Sequence, residues 1–147
     1  MLSQRAKYAL RAMVYLAERR AGAPVSVTEI ANETKIPRAF LEQIVANLKR
    51  RNLLTSTRGA QGGFLLARAP EEISFADIIR KIEGPLALAP CATRTAPRTC
   101  PDCTDMKTCV IRPALVAARE ATAIALEQMT LAHALMERGQ SKSEYSD

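Results

Sequence analysis

The sequence contains no tryptophan, and only three phenylalanines and three tyrosines among 147 residues. A core this poor in rings has to be aliphatic, which suits short packed helices better than a β-sandwich. Long apolar runs are missing as well. None approaches the roughly 18 to 20 residues that span a bilayer, so no membrane partner is expected. The first residues, MLSQRAKYAL, lack the ~7–15 continuous apolar residues of a secretory leader, and a cytoplasmic location is expected. There is one histidine, His133. It reads as a surface or interface residue. No nucleophile-and-base pairing and no phosphate loop accompanies it, so the requirements of an active site are unmet and no enzyme is expected.

What is present is ordinary globular material, 48% hydrophobic and 24% charged, which excludes a disordered chain. The length suits one domain with an appendage. The net charge of +6 points to a polyanionic partner, and it is unevenly placed. Residues 1–70 hold 12 Lys/Arg against 4 Asp/Glu, net +8, whereas residues 71–147 hold 9 against 11, net −2. The first half is therefore the candidate polyanion-binding half.

Apolar residues at helical spacing (Ala6, Leu10, Met13, Val14, Ala17) predict an amphipathic helix over 3–20, stopped by Gly22 and Pro24. Ser26 with Glu29 three residues on is a capping-box pattern for a short helix over 27–34. After the tight connection Thr34-Lys35-Ile36, Pro37 suits the first turn of another helix. That helix is expected to run to about Arg51, burying Phe40, Leu41, Ile44, Val45 and Leu48. Two β-capable runs, 53–57 and 64–67, flank the glycine-rich turn Arg58-Gly59-Ala60-Gln61-Gly62-Gly63. A helix follows from Ser74 or Phe75 to Ile82, with Phe75, Ile78, Ile79 and Ile82 in period. Residues 84–110 show no period and carry four prolines and all four cysteines. One long helix is then expected from Pro113 to about Leu135. Its seam is Leu115, Ala118, Thr122, Ala125, Met129 and Ala132, an apolar surface that calls for a second copy of the chain. The end from Gly139 is polar and expected to be disordered.

Helix, short helix, tight turn, helix and hairpin make a winged helix-turn-helix, in a mainly α fold. The expected division is a DNA-binding head over 1–83, a cysteine-containing sensor loop over 84–110, a dimerisation helix over 111–136 and a tail over 137–147. The second helix of the motif must bury one stripe and offer the other to the major groove. Its outward positions include Arg38, Glu42, Gln43, Asn47, Lys49 and Arg50. Gln43 suits adenine, Glu42 suits cytosine N4, and Arg38 suits guanine or a phosphate. Lys49 and Arg50, at the far end, suit phosphates, which position without specifying. Arg58 at the wing tip suits the narrow, electronegative minor groove.

Cys91, Cys100, Cys103 and Cys109 fall within 19 residues. In a reducing compartment such a group reads as metal ligands or redox thiols. Three chemistries fit. An iron–sulfur cluster takes four cysteines at irregular spacing. Structural zinc takes four thiolates, usually as two short pairs, and only Cys100-Pro101-Asp102-Cys103 is one. A reversible disulfide needs no metal. Arg94, Arg98 and Lys107 are the nearby cations available to offset thiolate charge.

The segments Ala6-Lys7-Tyr8-Ala9-Leu10-Arg11-Ala12-Met13, Phe40-Leu41-Glu42-Gln43-Ile44 and Thr57-Arg58-Gly59-Ala60-Gln61-Gly62-Gly63-Phe64-Leu65-Leu66 resemble the Rrf-two family of bacterial transcription regulators. So does the loop ending Cys103-Thr104-Asp105-Met106-Lys107-Thr108-Cys109. The likeness runs over about residues 1–135. It implies a homodimer with crossed long helices, paired winged heads on double-stranded operator DNA, and bases or minor groove met by Glu42, Gln43 and Arg58. Many members sense iron, nitric oxide or redox state through an iron–sulfur cluster; others carry none and sense thiol chemistry. The family's usual three cysteines map onto Cys91, Cys103 and Cys109, with a longer first gap here. Where a histidine or carboxylate would supply the fourth ligand, this sequence has Arg112 and Lys7. Cys100 is extra, and is the candidate fourth ligand of a two-iron or four-iron cluster. The expected function is a repressor responding to iron, redox or nitric oxide status, with the zinc-bearing or cluster-free thiol regulator as the alternative.

Overall fold

The computed structural model describes residues 2–19 and 21–144. Among them are six α-helices and one two-stranded antiparallel sheet. The helices are α1 (Gln4–Glu18), α2 (Val27–Thr34), α3 (Arg38–Arg50), α4 (Phe75–Ile82), α5 (Arg112–Gln128) and α6 (Leu131–Glu144). The strands are β1 (Leu54–Thr57) and β2 (Gly63–Leu66). No described helix is long and apolar enough to cross a membrane.

α1 is the central helix of the head. Ser3 caps it, its Oγ accepting from the Ala6 N–H at 3.1 Å, which satisfies an end donor the helix cannot. Its buried face is Ala6, Ala9, Ala12, Met13 and Leu16. That face is rotated from the expected one, and Leu10, Val14 and Ala17 flank it half-buried. Three alanines there let α3, α4 and α6 pack closely against it. Met13, Ile30, Leu41, Ile44, Leu48, Leu53, Ile78 and Leu131 meet in one fully buried aliphatic core.

The helix-turn-helix is α2 and α3. Ser26 Oγ accepts from the Glu29 N–H at 3.1 Å. The Glu29 carboxylate is not turned back to close a capping box; it takes the Tyr15 hydroxyl at 2.9 Å and Arg19 at 2.6 Å, tying α2 to α1. The turn is held by the buried Thr34. Its hydroxyl donates to the Ile30 carbonyl at 2.6 Å, and its own carbonyl accepts from Arg11. Phe40, expected in the core, is 57% exposed. It sits in the first turn of α3, one residue before the buried Leu41, and offers only an edge contact to the Tyr8 ring, 6.3 Å between centroids.

The wing pairs Leu54 with Leu66 through Thr57 with Gly63. Its glycines have internal reasons. A Cβ at Gly62 would collide with the Thr57 carbonyl oxygen, and one at Gly63 with the Val25 backbone. The close approach at Gly63 lets Phe64 and Val25 exchange two backbone hydrogen bonds, at 2.8 and 3.0 Å, which bolts the wing to the head.

The single long helix expected over 113–135 is two helices. Met129 is extended, and the Phe75 N–H donates to its carbonyl at 2.8 Å, while the Leu131 N–H donates to the Ile73 carbonyl at 3.0 Å. Thr130 Oγ1 then accepts from the His133 N–H at 3.1 Å and starts α6. Leu131 is fully buried in the head core, and α6 packs on α1. Met129 and Ala132 therefore leave the expected seam. On α5, Leu115 and Ala118 are half-buried while Thr122 and Ala125 are exposed. The polar end expected to be disordered from Gly139 is helical to Glu144; residues 145–147 lie outside the described residues.

Candidate nucleic-acid interface and cysteine site

α3 has basic residues in its last turn, Lys49 and Arg50, and one stripe (Leu41, Ile44, Val45, Leu48) in the core. The opposite stripe leaves Arg38, Glu42, Gln43, Ala46, Lys49 and Arg50 exposed. Arg38 and Glu42 are one helical turn apart and form an ion pair at 2.9 Å. Their charges are thus partly spent on each other, a competition that the expected roles did not include. Asn47, also expected to face outward, is half-buried, and its side-chain oxygen is buried with no hydrogen-bond partner. Arg58 is exposed at the turn of the wing.

A shallow crevice of about 710 Å³ joins Gln43, Ala46, Lys49 and Arg50 to two residues the sequence reading missed, Arg5 and Asn52. Arg5 adjoins the buried Ala6 at the start of α1 and reaches the same face. Asn52 adopts a left-handed conformation (φ 59°), which asparagine tolerates, and its N–H closes the end of α3 on the Lys49 carbonyl at 3.0 Å. An asparagine just past the end of a helix was the available signal for Asn52; nothing local marked Arg5.

The cysteine loop is tied to α5 rather than loose. Cys91 and Ala92 are buried in a 3₁₀ turn, Pro90–Ala92. Arg112 Nε donates to the Cys91 carbonyl at 3.0 Å, and Arg119 donates to the Ala92 carbonyl at 2.7 Å. All four cysteines are free thiols, Cys91 buried and the other three half-buried. Cys100 and Cys109 are near enough to influence both Cys91 and Cys103. Burial pushes the Cys91 and Cys103 thiols up, and the neighbouring Cys100 and Cys109 add to it. The cation that opposes this at Cys91 is Arg112. Arg94, expected in that role, is paired with Glu120 at 2.8 Å. Among the described residues no three His, Cys, Asp or Glu side chains are arranged to hold a metal ion. Four thiols from one short span are the donor type that a thiolate-ligated group takes, and a fixed guanidinium stands beside Cys91. His133 is exposed and faces Glu137 at 3.4 Å.

The family model of the iron-dependent transcriptional regulators, Rrf2, matches residues 2–137. The chain belongs to the Rrf2 family. A rrf2-like transcriptional regulator of Rhodobacter capsulatus is 37% identical over 134 residues, 89% of each chain. Among solved structures, T. potens IscR superposes with a TM-score of 0.76 at 29% identity, covering 96% of this chain and 90% of that one. CymR, the global cysteine regulator of B. subtilis, superposes with a TM-score of 0.72 at 30% identity, covering 90% and 94%. The winged-helix fold expected from the sequence is the fold of these Rrf2 relatives. The relatives named here are transcriptional regulators and not enzymes. Transcriptional regulation and DNA binding follow for the Rrf2 chain from its family.

Proposed function

We propose that this Rrf2 chain is a homodimeric repressor. It reads a near-palindromic DNA site with α3 and the wing, and answers iron, redox or nitric oxide status through an iron–sulfur cluster on Cys91, Cys100, Cys103 and Cys109. The observation that carries the DNA half is the single exposed face holding Arg5, Gln43, Lys49 and Arg50. Gln43 and Glu42 meet base edges from the first half of α3, with Arg38 beside Glu42 and Asn47 at the edge of the contact. Lys49, Arg50 and Arg5 hold phosphates, and Arg58 enters the minor groove. The dimer is supported by the outer face of α5, where Ala117, Ala121, Ile124 and Ala125 are exposed, and by Val110 and Ile111 just before it, 91% and 62% exposed. Two heads on one two-fold axis read half-sites a whole number of helical turns apart. Selection of binding sites from random DNA tests this, and a best site without two-fold symmetry removes the dimer.

The sensing half rests on four free thiols in one loop and on the iron-dependent character of the family model. A bound cluster would supply redox and nitric oxide reactivity at iron. Arg112 and Arg119 clasp the backbone at Cys91 and Ala92, so a rearrangement of the cysteine loop is transmitted to α5 and from there to the heads. Anaerobic purification with iron, sulfide and zinc assays tests the cluster; a colourless anaerobic protein containing zinc sinks it. The second reading, a metal-free thiol switch, is favoured by the free state of all four thiols and by the influence of Cys100 on both Cys91 and Cys103. It requires an anaerobic protein free of both metals that gains a disulfide on mild oxidation.

A further inference from the structure

A cavity of about 410 Å³ lies where the last turn of α4, the chain leaving it, the cysteine loop and α5 come together. This falls in the size range of small-ligand sites, roughly 300 to 1,000 Å³, which are mostly apolar with a few placed polar groups. Pro85, Leu86 and Ala123 supply apolar wall, and Arg80, Arg94 and Arg119 supply three guanidiniums. Two carboxylates answer them. Glu127 pairs with Arg80 at 2.5 Å, and Glu120 is shared by Arg94 at 2.8 Å and by Arg119. Glu120 is held below the usual carboxylate range by these two arginines, so it stays charged. Three cations against two anions leave one positive charge unbalanced.

Arg119 is the innermost of the three, its side chain only 14% exposed. Its terminal nitrogens are used, one on the Ala92 carbonyl and one on Glu120. Its Nε is buried without a hydrogen-bond partner. The ligand that fits the cavity itself answers the excess charge and the apolar wall: one negative charge, acceptor oxygens for the guanidiniums and a short apolar body. A phosphate or sulfate fits less well, because its charge exceeds the unbalanced one and it has no use for the apolar wall.

We propose that this cavity binds a small organic carboxylate with a short aliphatic body. The ligand reaches the head through Arg80 on α4 and the dimer-facing helix through Arg119 on α5, so its binding changes how the head is set on α5 and hence DNA affinity. That second step rests on the DNA-binding reading above; the site itself does not.

Calorimetric titration of the full-length protein with butyrate, 2-oxobutyrate and 2-aminobutyrate tests the site, with butyramide as the uncharged control and sulfate as the inorganic one. At least one carboxylate is expected to bind saturably with a Kd of about 1 mM or tighter, and butyramide not at all. Arg94→Gln changes a side chain that is 62% exposed and outside the core. It should weaken binding about tenfold, the loss expected of one charge-assisted hydrogen bond. Arg138→Gln, away from the cavity, should leave binding unchanged. Saturation by none of the three carboxylates, equal binding of butyramide, tighter binding of sulfate, or indifference to Arg94→Gln each overturns the site. Fluorescence anisotropy on selected DNA, with and without saturating carboxylate, reads the second step. A shifted DNA affinity supports it, and an unchanged affinity with carboxylate bound overturns it. Loss of all DNA binding with carboxylate binding intact removes the regulator reading and leaves the site.

Discussion

Arg119 on α5 donates to the carbonyl of Ala92 at 2.7 Å, the residue next to the buried Cys91. This bond, with its neighbour from Arg112 to Cys91, makes the cysteine loop a strap on α5 rather than a free excursion. If Cys100 is a ligand of the proposed cluster, Cys100→Ser should lose most of the iron retained by the anaerobic protein while the helical content by circular dichroism stays the same. Undiminished iron would remove Cys100 from the ligand set.

Base reading and phosphate holding separate by their salt and sequence dependence. Gln43→Ala should cost about 1–3 kcal/mol on the selected site and little on random DNA. Equal losses on both, measured by anisotropy, would show that Gln43 reads no base.

Lys49→Ala and Arg5→Ala should weaken selected and random DNA alike. Each should reduce the slope of log K against log salt by about one, the signature of a lost phosphate contact. An unchanged slope for Arg5→Ala would detach α1 from the interface and confine it to α3 and the wing.

Leu131 opens α6 and is fully buried in the head core. Leu131→Ala should therefore destabilise the protein by about 2–5 kcal/mol, the usual range for a buried leucine. The exposed Met136 on the same helix should cost far less when changed to alanine, both variants being read by urea unfolding at one protein concentration. Equal small effects would place α6 off the head.

Tyr15 is pushed up to about 12 by burial and by its hydrogen bond to Glu29. Its folded value lies above the unfolded value near 10, so the neutral hydroxyl stabilises the fold fully below pH 10. That contribution is lost as pH rises from about 10 through about 12. Urea midpoints across this window should fall more steeply for the wild type than for Tyr15→Phe. Parallel curves would disconnect the Tyr15–Glu29 contact from stability.

Where the reading of the sequence succeeded, the signal was local. Ser26 caps α2 without the box that Glu29 was expected to close, Pro37 stands at the start of α3, and Gly62 answers to Thr57 five residues away. Phe40 failed because helical period alone cannot tell the edge of a buried stripe from its middle, and at the first turn of α3 little lies above the ring except Tyr8. The four cysteines were legible as a group, but the guanidinium beside Cys91 was not. Arg112 lies beyond the loop on α5, while the nearer Arg94 is drawn away by Glu120.

The sequence by itself determined a mainly α winged head whose second motif helix ends in basic residues, because caps, periodicity, turn glycines and charge are carried by short stretches of chain. The tertiary structure alone decided where the last helix breaks. Nothing in Gln128-Met129-Thr130-Leu131 forbids a helix. The break exists because Met129 and Leu131 find backbone partners in Phe75 and Ile73, and because a buried Leu131 stabilises the head. The same long-range packing brought Arg5 to the crevice that Gln43 lines and set Arg80, Arg94 and Arg119 around one cavity, contacts between segments far apart in the chain.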